Sequence, residues 1–302
     1  MGCFNPLQAY KSVKPKKNGK NAITFSPTGN DIPIKLPCGQ CTGCRLSRSH
    51  DWAIRCMHEG KYHTDSFFLT LTYNDEKLPY DESLTKPHFQ KFMKRLRKKY
   101  PEKKLRYYMC GEYGENNTKR PHYHAIIYGH QPDDLIPYGK DYEGKPLFTS
   151  PTIEKIWGKG NIDIGQVTFE SAAYVARYIM KKQLGPEADY WHLTQTGLTV
   201  ERQPEYTDMS RKPGIGGDWL KENYRDVYPN DFMVVKKGEN FTEVRPTRYY
   251  DSLYEKMYPE KMQEIKQERA IKAFESDHFD TERIKAKQII TEKKLKLLPR
   301  TL

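Results

Sequence analysis

Residues 105–128 read LRYYMCGEYGENNTKRPHYHAIIY. Two runs rich in aromatic and β-favouring residues, 105–113 and 122–128, flank a turn-forming stretch at 114–121. The segment therefore reads as a β-hairpin. Side chains alternate across a strand, so His122 and His124 share one face. If the two runs pair across the loop, Glu112 falls opposite His122 on that same face. Two imidazoles and a carboxylate can hold one cation and leave positions open for water and a phosphate oxygen, which suits a catalytic metal site better than a structural one. Glu115, in the loop, is a second candidate for the third ligand. The alternative for Glu112 is a simple exposed hairpin carboxylate.

Outward from the hairpin, 67–73 is a strand ending in Asn74-Asp75. Thr85 can cap a following helix that has Pro87 in its first turn and is stopped by Pro101. Phe89, Phe92, Met93, Leu96 and Tyr100 form its apolar stripe, while Lys91, Lys94, Arg95, Lys98 and Lys99 make its other face basic. Upstream, the spacing of Leu46, Ala53, Cys56 and Met57 predicts a helix over 44–62, and short strand-like pieces stand at 22–26 and 32–36. Downstream, a long irregular stretch leads to a strand at 162–169 and a helix at 171–182. Residues 183–217 read mostly as loop, followed by a short helix at 218–224, a hairpin pairing 232–235 with 241–244, and a charged helical tail from Tyr249. The order β, α, β, β, β, α within 61–182 predicts an α+β fold, an antiparallel sheet with helices packed on it. We divide the chain into a cysteine-rich N-terminal extension (1–60), a central domain (61–230) and a hairpin with a helical tail (231–302).

In the helix at 171–182, Tyr174, Tyr178 and Lys182 recur one turn apart and line one face. A tyrosine pair at this spacing also suits core packing. However, Val175 and Ile179 supply an apolar stripe rotated by one position, so the helix can dock without burying its tyrosines. A phenol, with an unperturbed pKa of about 10, is a weak nucleophile near neutrality. A phosphate polarised by a cation and a nearby ammonium such as Lys182 would favour its attack.

The 302 residues carry a formal charge of +12. The whole excess lies in residues 1–106, and 86–106 alone hold ten Lys/Arg against Glu102. A charge concentrated in this way suits a polyanion, nucleic acid before membrane, although a solvated lysine-rich surface is the plainer alternative. With no apolar run near the roughly 20 residues of a membrane span and no basic-then-apolar leader, a reducing, cytoplasmic setting is expected. Cys38-Gly-Gln-Cys41-Thr-Gly-Cys44 is spaced too tightly for separate disulfides and well for a metal. Structural zinc wants four ligands. Cys3 is the first candidate to complete the set and Cys56 the second; an iron–sulfur cluster or free thiols remain alternatives. Cys110 reads as core. Arg211-Lys212-Pro213-Gly214-Ile215-Gly216-Gly217 opens a helix whose amides could hold a DNA phosphate, or it is only a turn. Trp52, Trp157, Trp191 and Trp219 are candidates for stacking on unpaired bases.

Pro121-His122-Tyr123-His124, with a Tyr-x3-Tyr-x3-Lys helix about 50 residues on, resembles the HUH endonucleases. More closely, the chain is similar to the rolling-circle replication initiators of small single-stranded DNA phages, the gokushovirus branch of the microviruses. The matching stretches are 36–45, 68–73, 110–114, 121–124, 174–182 and 209–216. The resemblance implies an HUH-type nuclease domain over 61–230, with Mg²⁺ or Mn²⁺ at the histidine site and a nucleophile among Tyr174 and Tyr178. It implies nicking of the viral origin on replicative-form DNA through a 5′-phosphotyrosine, then cutting and circularising of single strands, alongside the host helicase and polymerase in the bacterial cytoplasm. Two rival readings stay open: a relaxase or transposase of the same superfamily, and a zinc-dependent DNA-binding regulator without catalysis.

Overall fold

The computed structural model describes residues 2–16, 21–27, 29, 31–114, 119–141, 144–181, 191–237, 240–274 and 281–296. The chain divides into two compact units, one formed by Met1–Arg48 with Ala270–Leu298, the other by Ser49–Arg269. The first contains β1 (Leu7–Pro15), β2 (Asn21–Thr24) and β3 (Ile32–Leu36), an antiparallel sheet in the order β2-β1-β3. Helix α1 (Thr42–Gly60) begins there and from Ser49 onward belongs to the second unit.

The second unit continues with β4 (Ser66–Thr72), α2 (Lys86–Lys99), β5 (Arg106–Tyr113), β6 (Pro121–Tyr128), β7 (Ile136–Lys140), β8 (Pro146–Thr149), α3 (Pro151–Trp157), β9 (Ile162–Gly165) and α4 (Phe169–Lys181). Then come β10 (Trp191–Leu193), β11 (Thr199–Glu201), β12 (Tyr206–Met209), α5 (Gly217–Val227), β13 (Met233–Lys237), β14 (Asn240–Val244), α6 (Arg248–Met257), α7 (Pro259–Phe274) and α8 (Thr281–Lys296). α7 crosses into the first unit at Ala270, and α8 belongs to it. Seven strands form one sheet in the order β12-β5-β6-β4-β9-β8-β7, with every pairing antiparallel. The fold is α+β, as expected.

Strand alternation sorts the core into two layers. One face of the sheet turns Phe67, Leu69, Leu71, Met109, Tyr123, Ala125 and Ile127 toward Phe89, Phe92, Met93 and Leu96 of α2 and Ile153 and Trp157 of α3. The other face turns Phe68, Tyr108, Cys110, Ile126 and Tyr128 toward Ala53 and Cys56 of α1 and Ala172, Val175 and Ala176 of α4. Both faces are therefore covered, which is why 67–71 and 125–128 are nearly continuous apolar runs. A third cluster joins Ile54 to Leu220, Tyr228, Met233, Tyr250 and Tyr254, from α5 and the residue that caps its C-terminus, β13 and α6.

Several elements were not legible as such. β1 goes unmarked by alternation, because Ala9 is the only one of its nine residues that is buried and both of its faces carry exposed residues. The stretch read as irregular between the hairpin and β9 contains β7, β8 and α3, and the stretch read as loop contains β10, β11 and β12. These strands span three to five residues and none of those residues is buried, so little inward-facing apolar pattern marks them. For α3 a signal did exist: Ser150 caps the helix by accepting from the Ile153 amide, with Pro151 in its first turn. Among the described residues no helix is long and apolar enough to cross a membrane.

One buried polar network ties the sheet to the chain that follows β12. The Glu59 carboxylate accepts from the Arg106 guanidinium and from the Gly216 amide at 2.7 Å. Arg106 also donates to the Pro213 carbonyl at 2.9 Å, and Arg55 to that of Ile215 at 3.0 Å. Burial acts to raise the Glu59 carboxyl, but its bonds to His63, Arg106 and Gly216 outweigh this and hold it down at about 2. Removing one member of a buried pair strands the other charge. Glu59→Gln is thus expected to destabilise the protein by about 3–5 kcal/mol at pH 7 in urea denaturation. Glu59 lies below its unfolded value of about 4.3, so its contribution is complete above that pH and is lost as pH falls toward 2. The gap between the two proteins should close on that acid side. A gap that persisted below pH 2 would remove the charge from the explanation.

Candidate active site

The hairpin forms in the register Glu112↔His122 and Cys110↔His124. Opposite residues share a face, so Glu112, His122 and His124 all project toward the layer occupied by α4. Glu112 Oε1 lies 2.7 Å from His122 Nε2 and 3.0 Å from His124 Nε2. The outer nitrogens are engaged as well. His122 Nδ1 is 3.0 Å from the Arg120 carbonyl, to which it can only donate. His124 Nδ1 is 2.9 Å from the Thr70 hydroxyl, which β4 brings alongside through the pair Thr70↔His124. Anchoring the far nitrogen in this way fixes ring orientation and leaves both Nε2 atoms converging on one point.

The electrostatics follow from burial. Glu112 and His124 are buried, and His122 is half-buried. Burial acts to raise the Glu112 carboxyl, but the hydrogen bonds from the two histidines prevail and hold it below the ordinary carboxylate range. For His122 burial works downward and Glu112 outweighs it, so the imidazole is raised. Burial wins at His124, which is lowered. The ligand-type atoms of Glu112, His122 and His124 all lie within 4.8 Å of one another. Two imidazole nitrogens and a carboxylate oxygen fit a divalent cation, and nitrogen donors suit Mn²⁺ better than the oxygen-seeking Mg²⁺.

Helix α4 brings the tyrosine. Its start is fixed by reciprocal bonds: the Thr168 amide donates to Ser171 Oγ at 2.8 Å and the Ser171 amide to Thr168 Oγ1 at 3.1 Å. From that start, Ala172, Val175 and Ala176 pack on the sheet. Tyr174 lands edge-on to His124, with ring centroids 5.2 Å apart at 90°. The expectation that the helix would dock without burying its tyrosines is corrected here, since Tyr174 is itself buried and packs in the same cluster. Tyr178 follows one turn on in α4. Lys182 and Glu115 lie outside the described residues.

The remaining candidates go elsewhere. Lys91, Lys94, Arg95, Lys98 and Lys99 are exposed, as the helical pattern predicts. Yet α2 packs on the sheet face opposite to that of the histidines. Arg95 also donates to the Trp157 carbonyl at 3.0 Å, which bolts α2 to α3. Arg211 and Lys212 are exposed, with Arg211 paired to Asp208. The glycine turn after them does not offer a free phosphate cradle, because the Gly216 amide is already given to Glu59. Trp157 is fully buried, Trp52 stacks on Tyr108 and Trp219 on His58, and Trp191 is exposed. In the first unit, the thiols of Cys3, Cys38, Cys41 and Cys44 come within 4.8 Å of one another, whereas Cys56 and Cys110 are buried in the core.

Residues 66–183 match the family model described as replication-associated protein ORF2/G2P. The replication-associated protein VP4 of Bdellovibrio phage phiMH2K is 34% identical over 281 residues, which cover 87% of this chain and 80% of that protein. The replication-associated protein ORF2 of Spiroplasma virus 4 is 33% identical over 272 residues, 85% of this chain and 81% of that one. The chain belongs to the family of phage replication-associated proteins. ORF4 of Chlamydia phage 1, also named a replication-associated protein, is 34% identical over 190 residues, 59% of this chain and 47% of that protein. No solved structure matches the chain. The stretch matched by the family model runs from β4 to the end of α4 and so encloses Thr70, Glu112, His122, His124 and Tyr174.

Thr70 and the Arg120 carbonyl are the parts of this site that the motif alone does not show. Thr70 had a visible signal, a hydroxyl in a strand otherwise apolar at 67–71. A carbonyl has none. Removing an outer partner of a metal-binding histidine typically costs about 10–100-fold in affinity. Thr70→Val is accordingly expected to weaken Mn²⁺ binding by that factor, as read by electron paramagnetic resonance of free Mn²⁺. Unchanged binding would detach Thr70 from the site.

Proposed function

We propose that this protein initiates rolling-circle replication of a phage genome, as a tyrosine endonuclease and ligase of the HUH type. The observation that carries the reading is Tyr174 set edge-on against His124, one of a buried trio whose donor atoms converge. The family supports the coarser part, a role in replication.

In this reading residues 61–230 are the nuclease domain, and Glu112, His122 and His124 hold Mg²⁺ or Mn²⁺. A divalent cation there supplies positive charge to the phosphoryl oxygens as negative charge builds on them. The Tyr174 oxygen attacks the scissile phosphorus at the origin, forming a Tyr–O–P bond as the P–O3′ bond breaks. The electron pair stays with the 3′ oxygen, which ends protonated as a free hydroxyl, while the phenol gives up its proton. The 3′ hydroxyl is what a host polymerase extends, with a host helicase opening the replicative-form duplex in the bacterial cytoplasm. The phosphotyrosine keeps the energy of the broken bond, so a 3′ hydroxyl can attack it and circularise the single strand without ATP. Tyr178 serves as the second nucleophile and Lys182 as a nearby positive charge. The lysines of α2, with Arg211 and Lys212, grip the DNA backbone.

Incubated with single-stranded origin DNA and Mn²⁺, the wild-type protein is expected to give a covalent adduct that survives denaturation and disappears with EDTA. The double variant Tyr174→Phe/Tyr178→Phe should form none, and an adduct from it would overturn the assignment. Binding without any adduct in the wild type would favour the regulator reading instead. The grip is tested separately, with Arg95 left in place because of its bond to Trp157. Replacing Lys91, Lys94, Lys98 and Lys99 by Gln should reduce the slope of log K against log salt by up to about 3–4 units, at roughly 0.7–0.9 per phosphate contact. Cleavage of saturated DNA is expected to survive this change.

A further inference from the structure

The replication reading makes no use of the four cysteines in the first unit. The Sγ atoms of Cys3 and Cys41 are 3.8 Å apart, and all four sulfurs lie within 4.8 Å of one another. A tetrahedral centre with metal–sulfur bonds of about 2.3 Å has sulfur–sulfur edges of about 3.8 Å. A disulfide would need sulfurs about 2.0 Å apart, and all four thiols are free. A multi-iron cluster spreads its thiolates over separate irons and so holds them farther apart than a mononuclear ion does.

The surrounding backbone is arranged for thiolates. The amides of Cys38, Cys41 and Phe4 each point at a sulfur, those of Cys3, Cys38 and Cys41 respectively, every one at 3.2 Å. Such N–H···S bonds favour a charged sulfur over a neutral thiol and orient it as a ligand. The turn between Cys38 and Cys41 passes through Gly39 at φ +75°, a conformation L side chains rarely adopt, and Arg48 donates to its carbonyl at 3.3 Å. At Gly43 a Cβ would run into the Gly2 carbonyl and the Phe4 ring, so glycine is what lets the N-terminal segment pass close enough to deliver Cys3.

Charge placement points the same way. Cys41 lies just before α1, its carbonyl accepting from the Arg45 amide at 3.0 Å, and Cys44 lies in the first turn. That turn has no acidic residue, although the exposed amides of a helix start favour negative charge. Four thiolates around a divalent ion carry a net charge of −2 and meet that preference.

We propose that Cys3, Cys38, Cys41 and Cys44 bind one Zn²⁺ as a tetrathiolate centre that clamps residues 2–5 onto the start of α1. The centre joins two parts of the sequence, Cys3 and the 38–44 turn, that lie on either side of β1, β2 and β3 in the chain. Its role is structural, since all four ligand positions are filled by protein and none is left for a substrate.

The full chain, purified under reducing conditions, is expected to carry zinc that remains after dialysis. Zinc at the histidine site is told apart by cobalt substitution, because only thiolate ligation gives intense sulfur-to-cobalt charge-transfer absorption in the near ultraviolet. That absorption should persist in His122→Ala/His124→Ala and in Cys56→Ser, and weaken in Cys3→Ser and Cys41→Ser. Should the serine variants fail to fold, iodoacetamide labelling of the wild type gives the answer: Cys3 is protected until a chelator is added. Iron in place of zinc, no charge-transfer absorption, absorption unaffected by Cys3→Ser, or labelling of Cys3 at the same rate with and without chelator would each overturn the proposal. None of these measurements uses DNA, so their outcome is independent of the nicking reaction.

Discussion

The register of β5 against β6 is the constraint on which the site depends. With Glu112 opposite His122 and Cys110 opposite His124, one carboxylate oxygen meets two imidazole Nε2 atoms. A slip of one residue would send both histidines into the opposite layer, among Phe89, Phe92 and Met93 and away from Glu112. The register is held because both layers are packed. Tyr123, Ala125 and Ile127 fill one face and Ile126 and Tyr128 the other, so slippage would exchange large side chains on both sides at once. β4 strengthens this from the far edge of β6, where Thr70 meets His124. The three polar side chains thus sit in a core held by apolar packing on both faces, and that packing brings their donor atoms together.

The same alternation separates the chemistry from the charge. α2 sits on one layer and the Tyr174 helix on the other, so the basic helix and the candidate active site back onto opposite faces of one sheet. A nucleic acid touching both must follow the sheet around its edge or end. Arg95 shows that not every positive charge on α2 is available for that purpose, because its guanidinium holds the Trp157 carbonyl. Glu59 has a comparable double engagement, balancing Arg106 while occupying the amide of Gly216. What looks from composition like a phosphate-binding glycine turn is in the folded protein the anchor of α5 to the sheet.

Much of this was legible in the chain itself. The hairpin, α2 and α4 announce themselves because each is long enough to show its period and is bounded by turn or capping residues. His122-Tyr-His124 puts two imidazoles on one face by alternation alone, and Cys38, Cys41 and Cys44 are brought close by a single turn. The short strands β7, β8 and β10 to β12 were not legible, since none of their three to five residues is buried, and β12 finds its partner in β5, far away in sequence.

Local spacing therefore determined which groups are candidates: the histidine pair, the tyrosine pair, the cysteine turn and the basic helix face. Only the tertiary structure decided which of them meet. It set Tyr174 edge-on to His124, enlisted Thr70 and the Arg120 carbonyl behind the imidazoles, carried Cys3 to the 38–44 turn, and put the lysines of α2 on the other side of the sheet. The physical reason is the range of the interactions. Alternation and helical period act over a few residues, whereas the convergence of side chains from β4, β5, β6 and α4 depends on how buried layers pack, and that is settled only when the whole core closes.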